Sequence, residues 1–190
     1  MKKTTSILVT LLLGASILTG CQNSILTEKT TIEEHPLHPE YTIETLVQAS
    51  ETIVHGIVID QGDTFVHKTI TTSGREIESV FTPMTIEVTD CLKGTAENVV
   101  IYNQRGGETD TTIYEVNDGG KVSIGDEVLI FLNEVGVTWG GQGVYIIDNG
   151  YTAIDSRMLS YTALANETEN QLFEMSLIDL ESLVSEYIDQ

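Results

Sequence analysis

Residues 51–60 read ETIVHGIVID, and in that run Ile53, His55, Ile57 and Ile59 alternate with Val54, Gly56 and Val58. A period of two with many β-branched residues is the pattern of a strand. The pattern recurs downstream. In FTPMTIEVTDCLKG (residues 81–94), Met84, Ile86 and Val88 alternate with Thr85, Glu87 and Thr89, and Lys93-Gly94 ends the run with a turn. NVVIYN (98–103), TTIYEV (111–116) and the strongly apolar EVLIFL (127–132) read as further strands. GVYIID (143–148) and YTAI (151–154) flank Asn149-Gly150, the strongest two-residue hairpin signal, so both turn residues are expected at positive φ.

Helices bracket these strands. Thr42 is a good N-cap, and Ile43, Leu46, Val47 and Ser50 follow at near-helical spacing. Near the C-terminus, Ser176 to Asp179 has the logic of a capping box. Over residues 177–188 a stripe of Leu177, Leu180, Leu183, Val184, Tyr187 and Ile188 opposes acidic positions, which suits docking on a sheet. A membrane-surface helix would carry lysine and arginine there instead. The fold class expected is mainly β (α+β): a small antiparallel OB-like barrel of about six strands, with a short N-terminal helix and a C-terminal amphipathic helix. Residues 42–190 form the single domain of this reading.

SETIVHGIV from Ser50, VTDCLKG from Val88 and VSIGDEVLIFL from Val122 resemble a loosely defined group of secreted bacterial domains with an OB-like or netrin-like barrel. The resemblance spans roughly 100 residues. Its motifs are structural, so it implies a scaffold and not an activity.

The N-terminus says where the domain resides. Lys2 and Lys3 precede an uncharged, mostly apolar run from Ile7 to Leu18, shorter than the roughly 20 residues of a spanning helix. Leu18-Thr19-Gly20-Cys21 resembles the lipobox of bacterial lipoproteins. The resemblance implies that residues 1–20 are a signal peptide cut between Gly20 and Cys21. It also implies a diacylglyceryl group on the sulfur of Cys21, and palmitate-type acyl chains that hold the protein to the outer face of the cell membrane. Residues 21–41 are polar, contain Pro36 and Pro39, and read as a flexible tether. With Cys21 lipidated, Cys91 has no partner in the chain, so the domain must be held by its core and not by disulfides.

The chain has 9 basic and 29 acidic residues and a net charge of −20. Cleavage before Cys21 removes Lys2 and Lys3 and no acid, which takes the charge to −22. Such a charge repels phosphate backbones, so nucleic acid is not an expected partner.

No nucleophile elbow, metalloprotease helix, phosphate-binding glycine loop or paired Cys-x-x-Cys is present. Cys91 near His55 or His67 would make a nucleophile, but its place within a strand suits a small buried hydrophobe. EEHPLHPE offers His35 and His38 among carboxylates, a donor set that suits zinc or copper, while its prolines suit a solvated linker. The acidic loops at 60–63 and 117–120 suit either calcium or turn formation. Trp139, between glycine-rich loops, is either a ligand contact or a core cap. The expected function is therefore a lipid-anchored, extracytoplasmic, non-enzymatic binding module without a cofactor. Its partners would be the membrane, through Cys21, and an unknown protein or envelope component. A divalent-metal-binding lipoprotein is the alternative, followed by an envelope enzyme using carboxylates such as Asp60 or Glu108.

Overall fold

The computed structural model describes residues 29–36, 39–117, 120–153 and 175–189. Gly20, Cys21, the signal segment and His38 lie outside the described residues. Over these residues the chain is mainly β, with two helices. In order the elements are β1 (Thr30–Glu34), α1 (Ile43–Ala49), β2 (Thr52–Gln61), β3 (Phe65–Ile70), β4 (Glu76–Lys93), β5 (Val99–Arg105), β6 (Gly107–Glu108) and β7 (Thr112–Val116). They continue with β8 (Glu127–Leu132), a 3-10 turn (Gly140–Gly143), β9 (Val144–Asp148), β10 (Tyr151–Ala153) and α2 (Leu177–Ile188). No helix among them is long and apolar enough to cross a membrane.

β2, which holds the ETIVHGIVID alternation, sits in the middle of the main sheet between β4 and β8, antiparallel to both. β9 and β10 extend that sheet beyond β8. On the other side, Met84 to Glu87 of β4 pair with β2 and also with β5, so β2 and β5 flank β4 on opposite edges. Phe81 pairs with both Phe65 and Arg105, which puts β3 on the same edge of β4 as β2. β2 and β3 are thus two halves of one path along β4, interrupted by a bend at residues 62–64. A second, three-stranded sheet has the order β1-β7-β6, with β1 parallel to β7.

These pairings correct the expectation of a closed barrel of about six strands. Among the described residues ten strands lie in two sheets, and neither sheet closes on itself. Within the stretch read as tether, Thr30–Glu34 is a strand, because its backbone finds a partner in β7 far along the chain.

The alternation read in the sequence divides the main sheet into two packed faces. Val54, Val58, Met84, Ile86, Val128, Ile130 and Leu132 pack on the inner face with Tyr102 and Val122. Ile53, Leu129 and Phe131 pack on the outer face under Ile43, Leu46 and Val47 of α1 and Leu180 and Val184 of α2. β8 is buried on both faces, which is why EVLIFL is an almost continuous apolar run. Each such side chain contributes about 1.5–3 kcal/mol on burial, so these two layers hold the fold without disulfides.

The ends of the elements follow local rules. Thr42 Oγ1 accepts from Thr45 N at 3.2 Å and starts α1. The helix has no basic residue in its last turn; Lys93 Nζ from β4 instead donates to Val47 O and Ser50 O at 2.7 Å each. Ser176 Oγ accepts from Asp179 N at 3.2 Å to start α2. Asp179 reaches back to the serine hydroxyl, at 2.6 Å. Asn149 (φ 52°) and Gly150 (φ 82°) link β9 to β10 as the Asn-Gly pair requires.

Candidate functional site

Where the bend between β2 and β3 meets the small sheet, a polar groove of about 880 Å³ opens. Gln61 to Thr64 form one wall, Gln104 and Arg105 lie beside the end of β5, and β6 and β7 complete the opposite side. A directed chain of hydrogen bonds sets the first wall. Glu108 N donates to Thr64 Oγ1 at 3.3 Å, and Thr82 Oγ1 donates to Gly106 O at 2.8 Å. Thr64 and Thr82 hydroxyls lie 2.9 Å apart, so Thr64 must be the donor between them. The chain can close only because residue 107 is glycine. At φ 137° a Cβ there would lie 2.2 Å from Thr82 Oγ1 and 2.5 Å from Thr64 Oγ1.

β1 closes the far side. Lys29 Nζ donates to Thr109 O and meets Glu108 Oε1, both at 2.7 Å, and Arg105 Nη2 meets Glu34 Oε2 at 3.3 Å. Beyond residue 20 the chain has only seven lysines and arginines, and Lys29, Arg105 and Lys121 all line this groove. Two of the three are neutralised by these ion pairs. Among the described residues Lys121, Asp63, Asp110 and Glu115 have no ion-pair partner, so the lining carries free groups of both signs.

Gln104 is the notable group of the lining. It is 9% exposed, and its Oε1 accepts from Val122 N at 2.6 Å. Because Val122 N–H is a donor, the bonded atom must be the amide oxygen, and this fixes the orientation of the amide. Nε2 then has no partner among the described residues. A buried N–H₂ left unpaired costs about 1–3 kcal/mol, and a ligand oxygen in the groove would relieve that cost.

Most residues singled out in the sequence lie elsewhere. Trp139 is half-buried against the helix-covered core, its ring 6.0 Å from that of Tyr41, and it is not part of the groove. His35 is exposed, 3.9 Å from Glu33. Among the described residues no group of three or more His, Cys, Asp or Glu is placed to hold a metal ion. Asp60 is exposed and accepts from Gln61 N, whereas Glu108 lies in the groove and is tied to Lys29. Cys91 packs at the inner core, with its thiol 3.4 Å from Lys93 O. His55 is on the other face of the sheet, so the two do not form a pair. His55 is 8% exposed, with Nε2 2.8 Å from Glu127 Oε1 and Nδ1 3.5 Å from Glu181 Oε1, and so joins the sheet to α2. His67 is on β3, away from both.

Gln104, Thr64, Thr82 and Lys121 were not singled out from the sequence. A single amide or hydroxyl in an alternating strand leaves no signature there. The sequence signal nearest to them is Gly106-Gly107, a glycine pair between β5 and β7. No family model, curated protein or solved structure matches the chain.

Proposed function

We propose that the protein is a lipid-anchored, extracytoplasmic binding module, held to the membrane through Cys21, whose ligand site is the groove between the two sheets. The observation that carries the site is the buried Gln104 amide, which faces a cavity with its Nε2 unpaired. The proposed ligand is polar and close to neutral. Lysine, arginine, amide and carboxylate groups of the lining offer both donors and acceptors, and two of the basic groups are already neutralised. A polyanion would meet both the acidic lining and the overall charge. The OB-like resemblance belongs to this reading as a scaffold, opened along one side, in which β2 is central between β4 and β8.

Crosslinking in intact membranes, followed by capture of the chain, tests the proposal. Wild type should retain a crosslinked partner or envelope component, and Gln104→Glu, which keeps an acceptor for Val122 N–H and removes only the Nε2 donor, should lose at least nine-tenths of it with unchanged far-UV circular dichroism. Equal capture by both would remove the groove from the account.

A further inference from the structure

β3 and the first part of β4 form an arm two strands wide. All six residues Phe65–Ile70 are exposed, and among the described residues β3 pairs only with β4. β2 reaches only to Met84 on β4, and β5 only to Phe81. At the tip, Thr71 N donates to Arg75 O and Gly74 N to Thr71 O, both at 2.8 Å, with Gly74 at φ 79°. This turn makes Thr71 and Arg75 a hydrogen-bonded pair. Counting back along an antiparallel ladder, Thr69, His67 and Phe65 direct their backbone groups to β4. Val66, Lys68 and Ile70 therefore present N–H and C=O to the outer edge, where no strand is paired.

An isolated two-stranded hairpin is marginal in water, and an exposed apolar edge is a template for another strand. This edge has both properties: Val66 is 44% exposed and Ile70 72%. Lys68, the one charge on this edge, is paired with Glu76 and Glu78 of β4. Residues 65–80 contain Lys68, Arg75, Glu76 and Glu78, and so are neutral in a chain that is otherwise strongly acidic. Two copies repel one another over most of their surface, and least at this arm.

We propose that β3 pairs with β3 of a second copy of the chain, antiparallel about a two-fold axis at Lys68. In that register Val66 lies opposite Ile70 of the second copy, and Ile70 opposite Val66, so both outer rows are apolar. The two Lys68 side chains meet at the centre. Each is held by its own Glu78 and Glu76, at 2.6 and 3.0 Å, so four carboxylates surround two ammonium groups. The edge is thus self-complementary in hydrogen bonding and in its apolar positions, as a two-fold interface requires.

Cysteine crosslinking in the full chain in its own membrane tests the register. Lys68→Cys, in a Cys91→Ala background, places two thiols across the axis at a Cα separation of about 5.5 Å, within disulfide range. Mild oxidation should convert it to a band of twice the mass at least ten times faster than Glu134→Cys, which sits in an exposed loop. Adding Val66→Lys and Ile70→Lys should lower that rate at least tenfold with unchanged far-UV circular dichroism. Sedimentation velocity of the detergent-solubilised wild type should show a dimer, which the double lysine variant lacks. The proposal fails if Lys68→Cys crosslinks no faster than Glu134→Cys, or if it crosslinks to a different protein. It also fails if the wild type sediments as a monomer or the dimer survives the lysines.

Discussion

Tyr145 packs 5.8 Å from the ring of Phe131 in the helix-covered layer, and burial pushes its phenol above the ordinary value of 10. The raised value gives stability a definite pH dependence. Below pH 10 both folded and unfolded chains keep this proton, and the residue adds no slope. As the pH rises past 10 the unfolded chain releases the proton while the folded chain holds it. Stability should then fall by up to about 1.4 kcal/mol per pH unit. Urea midpoints at pH 8, 10 and 11 should show wild type losing this increment relative to Tyr145→Phe, and parallel curves would refute the assignment. Single residues differed in how far their roles could be read. Asn149-Gly150 was legible because positive φ at both positions admits few residue types. His55 was placed on the correct face, but the carboxylates around it come from β8 and from α2, far away in sequence. Gln104 was not legible, because an unpaired amide is a property of three-dimensional surroundings and not of spacing.

At the scale of elements, α2 is held by one face. Leu180 and Val184 are fully buried, whereas Ile178 is 74% exposed. Leu180→Ala should cost about 2–5 kcal/mol by leaving a cavity under the helix. Ile178→Ala should change stability by less than about 0.5 kcal/mol. Thermal or urea unfolding distinguishes the two, and similar losses would mean that the stripe is oriented differently. β2, β8 and both helices were legible because their apolar residues repeat with a period set by a buried face. β1 was not, since TTIEE has a single large apolar residue and gains its structure from parallel pairing with β7. FVHKTI, the β3 sequence, does alternate, but with exposed residues on both faces it lacks the contrast that marks a packed strand. The bend at Gly62 then hid the continuity of β2 and β3 along β4.

At the scale of the whole molecule, an acidic, mainly β domain is proposed to be held to a membrane through one residue. The domain as described has no helix able to cross a bilayer, and its surface charge disfavours anionic lipid. The proposed attachment therefore rests on Cys21, where the sequence motif is specific. Two buried acyl chains give stable anchoring where one gives only reversible binding. Fractionation of Cys21→Ser cells tests this most directly. The account predicts a precursor about 2 kDa heavier than the mature chain, or its shedding into the medium, with the mature-sized membrane form lost. Cys21→Ser protein that remained in the membrane at wild-type mature mass after a high-salt wash would contradict it.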